Sequence, residues 1–442
     1  AQAVTGATPP LLARLAEKSL LQWQATASGE GRYTMHELLR QFAAEQLDVA
    51  GERAVTEQRH SHYYMVYLAA RGWQLGRAKP TQASSEIQAE LDNIRTAWQW
   101  AIAHGQLAEL EQATYAWWQF CQFQGLGFEG QQSFAVAVDG IRRHLAQTEA
   151  DAAATVLGQR LLAKLLALHG NYLFANGHDA EMAAQAREAV TLGTAWGGVE
   201  GETFGTFVLG RALQDLEHKR EAGEMWQRTL QLVHRYQTEY PESELLHEAH
   251  WMAHEYLRGS ALHFGDYAGS RAHNVQALQI CQSLGKRRGE LYCLADLAGL
   301  DYFLYNVAAA EAGFEATLEL ARSLNYRRVE MVAQAGLGGA LRLRGDYASA
   351  RRLLEQAVGM AAEAALPYDE ALFLAALIRL HCQIGDQAAA TQRYDQLTQL
   401  LAHVKLPKEC QLYAYLAAAS KAHAAGVAQE ALQYAEQAEL VN

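Results

Sequence analysis

Apolar residues recur along most of this chain at the spacing of a helix face, in long stretches separated by short polar or glycine-bearing breaks. One break is written twice, as Gly265-Asp266-Tyr267-Ala268 and Gly345-Asp346-Tyr347-Ala348. Near-copies stand at Gly177-His178-Asp179-Ala180, Gly385-Asp386-Gln387-Ala388 and Gly426-Val427-Ala428. From residue 265 onward the breaks fall near 265, 306, 345, 385 and 426, a period of about 40 residues. This period predicts stacked helix pairs: 155–175 with 180–196, 201–217 with 219–238, and 244–264 with 269–284. The series continues with 287–304 and 308–324, 327–344 and 349–365, 368–384 and 388–403, and 408–425 with 428–440. An array of this kind adds core with every repeat and recognises partners through an extended surface.

Small residues precede several turns. Gly170, Gly210, Gly299 and Gly338 are expected to let the two helices of a pair approach closely, with Ala350 and Ala357 giving the same contact from the second helix. Pro367 and Pro407 are expected to stop a second helix before the next repeat begins.

The first third reads differently. A short helix from Pro10 to Lys18 is followed by a strand at Leu20–Gln24, a turn at Ser28–Gly31 and a second strand at Arg32–Met35. A helix then starts near His36. Residues 53–150 read as a helical connector, in which Leu91, Ile94, Trp98 and Ile102 share one face and are expected to be core. Gly125-Leu126-Gly127 predicts a tight turn between helices, and Trp117-Trp118 predicts core packing.

Half of the residues are apolar and only six of 442 are proline, which suits long stacked helices. The formal charge of −12 argues against a general nucleic-acid binder. Five cysteines without a CxxC pair read as free thiols in a reducing compartment, and Cys281 and Cys293 as buried hydrophobes. With no signal peptide and no long apolar run, the expectation is a soluble, cytoplasmic protein with no direct nucleic-acid or membrane partner. The chain starts at Ala1 without an initiator methionine, which suits a piece of something longer.

The run Leu337-Gly338…Gly345-Asp346-Tyr347…Ala350…Leu354…Ala357 resembles the tetratricopeptide repeat, in a form longer than usual. The wording Lys18-Ser19-Leu20-Leu21…Gly31-Arg32-Tyr33-Thr34-Met35-His36-Glu37-Leu38-Leu39-Arg40-Gln41-Phe42-Ala43 resembles the end of the nucleotide-binding module of STAND signalling ATPases, the NB-ARC-type family. The resemblance implies that 1–50 is the C-terminal part of a winged-helix domain, 51–150 a connecting arm and 151–442 a repeat sensor. The fold class it implies is all-α, a tetratricopeptide-like αα-superhelix behind a helical connector and a partial winged helix. It further implies that His36, in a Met-His-Asp-like motif with Glu37 for Asp, approaches the β-phosphate of ADP in a full-length protein that binds ATP or ADP with Mg. No GxxxxGK[ST] phosphate loop occurs here, so this chain by itself is expected to be no enzyme and to hold no cofactor.

Repeats of this family bind partners on a concave surface lined by their first helices. Counting from each turn places Asn171, Phe174, Arg211, Gln214, Glu255, His263, Asp296, Phe303, Arg342 and Arg379 there. His250 and His254, spaced i,i+4 beside His247, could chelate a metal but are better read as packing, and no metal site is assigned. Lys286-Arg287-Arg288 and Arg342, Arg344, Arg351 and Arg352 read as solvated basic clusters with some capacity for an acidic ligand. The combined expectation is the inducer-sensing, autoinhibitory part of a STAND ATPase. Its partners would be the nucleotide-binding module of the same polypeptide and an inducer of unknown kind. The alternative is a constitutive tetratricopeptide scaffold without a switch.

Overall fold

The computed structural model describes residues 2–25, 31–77, 80–147, 152–174, 178–403 and 408–441. Helices dominate, and the described residues form two compact units, the first ending at Leu257 and the second beginning at Arg258.

After a single helical turn at Gln2–Thr5 comes helix Pro9–Glu17, whose two prolines sit where a helix needs no backbone N–H. Strands Gln22–Ala25 and Gly31–Thr34 then pair antiparallel, with Gln22 opposite Thr34 and Ala25 opposite Gly31. The expected turn at 28–31 lies outside the described residues except for Gly31. A Cβ at Gly31 would run into the indole of Trp23 as it lies, so any larger residue would have to displace that exposed ring. His36 caps helix Glu37–Ala50, which Gly51 closes in the left-handed region at φ 68°.

Helices Arg53–Ala69, Leu91–Ala103, Leu107–Gln124 and Gly127–Gln147 carry the connector core. Leu91, Ile94, Trp98 and Ile102 are buried, as their spacing predicts, and Trp117 and Trp118 are buried with them. The Trp98 ring lies 6.1 Å from Trp117 and 5.8 Å from Phe134. Gly125, at φ 68°, ends Leu107–Gln124 just before the next helix begins at Gly127.

This connector is continuous with the helix pairs that follow in the same unit. Tyr172 donates a hydrogen bond to the Trp118 carbonyl at 3.2 Å. Lys164, almost fully buried, pairs with Glu111 at 3.0 Å and with Glu200 at 2.6 Å. Glu248 is buried too, and accepts from Tyr115 at 3.2 Å, Gln119 at 2.8 Å and Trp251 at 2.7 Å. Charges removed this far from water are costly unless so satisfied.

The repeat helices are Ala152–Leu173 with Asp179–Trp196, Val199–Asp215 with Lys219–Tyr236, and Glu244–His263 with Tyr267–Leu284. They continue with Arg287–Phe303 and Val307–Ser323, Arg327–Arg344 and Tyr347–Glu363, Pro367–Gln383 and Gln387–His403, and Lys408–Ala424 with Ala428–Val441. The Gly-Asp phrase works at both ends of its turn. Glycines 265, 345 and 385 take positive φ after one helix. Asp266, Asp346 and Asp386 then cap the next, accepting from the backbone N–H of Gly269, Ser349 and Ala389 at 2.8, 3.2 and 3.1 Å. Where glycine is missing, Glu217, Tyr305, Asn325 and Ala365 take the left-handed conformation instead. Gly177 and Pro407 lie outside the described residues.

Three expectations need correction. Pro367 opens helix Pro367–Gln383; the preceding helix has already ended, with Ala365 at φ 52°. Gly299 faces no close neighbour, since a Cβ there would meet nothing within 4 Å. At Gly338, by contrast, a Cβ would press on Leu354 at 3.0 Å, and at Gly210 on the Trp226 indole. Lys286 is buried, and Arg287 pairs with Glu290 at 2.7 Å, so that basic run is not a free solvated face.

Candidate functional site

In the first unit, helices Ala152–Leu173 and Val199–Asp215 pack directly on each other and carry Asn171, Arg211 and Gln214, with Phe174 just past the end of the first. Asn171, Phe174 and Arg211 converge. Arg211 donates from Nη1 to Asn171 Oδ1, its guanidinium lies 4.0 Å from the Phe174 ring centre and 5.4 Å from that of Tyr256. Asn171, Phe174 and Arg211 line a cavity of about 310 Å³ with Tyr172, Cys121, Gln122, Gly125, Gly127 and Phe128. Arg211 is only 7% exposed, whereas Phe128 at the wall is 78% exposed. Gln214 is half-buried one turn away and is not part of the lining. Glu255 is half-buried beside Tyr256 and raises that phenol's pKa, adding to burial, while Arg211 opposes both.

The second unit gathers a different set. Arg342 donates to Gln383 Oε1 at 2.8 Å and to the Tyr302 hydroxyl at 3.4 Å. Gln383 in turn donates to the Tyr347 hydroxyl at 3.1 Å. Arg379 is held below the usual arginine range by burial and by the positive charge of Arg342. Phe303 is 58% exposed, with its ring 5.5 Å from Tyr267. Asp296 is taken up by Arg258 at 3.4 Å, and His263 is exposed with its ring against Phe264 at 5.1 Å. The expected surface residues therefore divide into a Phe174–Asn171–Arg211 group and an Arg342–Arg379 pair, with Gln214, Glu255, His263, Asp296 and Phe303 outside both.

No protein-family model and no curated protein sequence matches the chain. Solved structures do. A Signal Transduction ATPase with Numerous Domains from Pyrococcus horikoshii, which has a tetratricopeptide repeat sensor, matches with a TM-score of 0.50 at 14% identity. That match covers 91% of this chain and 61% of the Pyrococcus chain, so this chain spans less than two thirds of its length. Aspartyl phosphate phosphatase F from Bacillus subtilis matches with a TM-score of 0.50 at 12% identity, over 87% of this chain and 93% of that one. Identities this low speak for the fold alone. The fold is all-α and tetratricopeptide-like.

His36 stands apart from both groups. Its Nδ1 accepts the backbone N–H of Leu38 at 3.3 Å, which places the ring proton of a neutral imidazole on Nε2. The side chain is exposed, and Leu38, Phe42 and Val49 on the helix behind it are exposed as well. Glu37 is engaged by Arg40 at 2.5 Å and Gln41 at 3.0 Å, and these bonds lower its pKa.

Among the described residues no group of three His, Cys, Asp or Glu side chains is arranged to hold a metal ion. His250 and His254 lie with ring centres 5.7 Å apart, and burial with repulsion from His247 and His234 pushes His250 down to about 4. All five cysteines are free thiols. Among the described residues no helix is long and apolar enough to cross a membrane.

Tyr256, Tyr172, Phe128 and Gln383 are the site residues that turn-counting misses. Tyr256 belongs to the next helix pair and reaches back, and Phe128 arrives from the connector. Along the sequence, Gly125-Leu126-Gly127 reads only as a tight turn between helices.

Proposed function

We propose that this chain is the sensing arm of a STAND-type signal transduction ATPase. Ligand binding on the first-helix surface would control a nucleotide-binding module carried by the same polypeptide. The observation that carries the reading is His36, set at a helix start with Nδ1 held by the backbone and Nε2–H turned to an exposed position. An imidazole so fixed can donate to a phosphate oxygen without first reorganising. The exposed apolar face of Leu38, Phe42 and Val49 beside it suits docking against such a module. The named STAND neighbour, with its tetratricopeptide sensor, has the same kind of fold. This chain contributes one phosphate contact and no site of its own, since the phosphate loop would come from elsewhere in the polypeptide.

For the inducer to throw the switch, it must bind the open arrangement more tightly than the closed one; equal affinity shifts nothing. In the intact natural protein, His36→Ala is expected to weaken ADP retention at least ~10-fold, the loss of one charge-assisted hydrogen bond, and to raise output without inducer. The measurements are ADP dissociation by competition and basal activity of the intact protein. Unchanged ADP affinity with unchanged basal output would remove His36 from the mechanism and leave the constitutive scaffold as the better reading.

A further inference from the structure

The cavity beside Asn171 and Phe174 holds one buried cation, Arg211. Arg211 is nine-tenths buried, yet it has no ion pair among the described residues. Three other sheltered arginines have one: Arg71 pairs with Glu86 at 2.8 Å, Arg77 with Glu244 at 2.6 Å and Arg258 with Asp296 at 3.4 Å. Asp215, one turn further along the same helix, senses the Arg211 charge without pairing with it; burial and Asp179 raise its pKa against that attraction. A buried cation with no counter-charge is costly, and a fold keeps one most readily where a ligand completes it.

The guanidinium is also held in position. Asn171 takes Nη1, and the rings of Phe174 and Tyr256 flank the plane. Among the described residues, Nε is buried without a partner and Nη2 has no hydrogen bond. The Nε–Nη2 edge is the fork that a carboxylate engages with two parallel hydrogen bonds. Among the described residues no second basic side chain lines the cavity, which argues for a monoanion over a phosphate. The other walls are the rings of Phe128, Tyr172 and Phe174, the side chains of Cys121, Gln122 and Asn171, and bare backbone, with open space where a Cβ at Gly125 or Gly127 would stand. A volume of about 310 Å³ lies at the small end for ligand sites.

We infer that this cavity binds a carboxylate carried on an apolar or aromatic group, either a free organic acid or the C-terminal residue of a peptide. The charge meets the Arg211 fork, and the apolar part lies against Phe174 and Phe128. The inference deepens the sensing-arm reading by naming the ligand class, and it rests on that reading only for its consequence, not for binding itself.

The test is calorimetric titration of the full chain with 3-phenylpropionate and with the tripeptide Ala-Ala-Phe, against 3-phenylpropanol and the amidated tripeptide as uncharged controls. Saturable binding of at least one acid is expected, at least ~10-fold tighter than its control. Acid alone or peptide alone identifies the source. Arg211→Met, which keeps the volume and removes the charge, should abolish the preference for the acid. Gly127→Trp fills the open space without touching Arg211 and should block both acids, so a folding defect in the first variant does not decide the matter. No saturable binding of either acid up to about 10 mM, equal binding of acid and control, or unaltered binding in Gly127→Trp overturns the inference. Binding that leaves the output of the intact protein unmoved keeps the pocket and sinks the sensing-arm reading instead.

Discussion

Gly210 and Gly299 hold comparable places before their turns, yet a methyl group at each meets opposite surroundings. At Gly210 it strikes the buried Trp226 indole, which is packed 5.1 Å from Tyr256 and has little freedom to yield. At Gly299 it meets nothing. Gly210→Ala should therefore cost about 1–3 kcal/mol through overpacking. Gly299→Ala should gain up to about 1 kcal/mol, because alanine is the better helix former where space allows. Urea midpoints of the two variants check this; shifts of the same sign would show that the indole contact does not govern the Gly210 site. The pair also marks what a sequence can carry at this scale. A small residue is visible before each turn, but whether it is small for packing depends on a partner from the other helix. The same holds for arginine. Arg211 and Arg258 read alike along the chain, and only the fold shows that one has Asp296-like company and the other a cavity.

Helix boundaries were nearly all legible, because the Gly-Asp phrase states two physical events together: a left-handed stop and a side-chain cap. Pro367 misled because proline both follows one helix and suits the first turn of the next, and here the second role applies. What the elements bury was less legible. Helix Glu244–His263 carries His247, His250 and His254, a pattern that suggests chelation, but its surroundings suppress charge instead. His250 is pushed down to about 4, first by burial and then by repulsion from His247 and His234. Its folded pKa lies below the unfolded value of about 6.5, so the unfolded chain takes up the proton first as pH falls. Above that unfolded value His250 contributes no pH dependence; between about 6.5 and 4 it makes stability fall. The loss should be of the order of 3 kcal/mol by pH 4, with His60 and His169 adding in the same direction. His250→Gln should flatten the stability profile over that window when unfolding is followed by tryptophan fluorescence. A profile as steep as wild type would mean that the imidazole is not kept neutral by its packing.

Across the whole molecule, stability in a repeat array is a sum of local terms, so a thinly packed end unfolds ahead of the rest. The pair Lys408–Ala424 and Ala428–Val441 is such an end. Its buried side chains are small, among them Cys410, Ala417, Ala418, Ala422 and Ala438, while Leu416, Val427 and Leu432 are exposed. The repeats before it bury Leu354, Phe373, Leu374, Leu377, Ile378 and Leu380 in one cluster. Sequence periodicity could not show this difference, because alanine-rich helices keep the apolar spacing while offering little area to bury. The chain supplies its own reporter, since all nine tryptophans lie before Leu257 and fluorescence therefore reads the first unit alone. Circular dichroism reads every helix. In urea the dichroism signal should begin to fall before fluorescence does, and amides within 408–441 should exchange at least ~10-fold faster than those of helix Pro367–Gln383. Removing residues from 408 onward should delete the early dichroism phase and leave the fluorescence midpoint in place. Coincident dichroism and fluorescence transitions would show instead that the last pair is held as firmly as the tryptophan-bearing core, despite its exposed leucines.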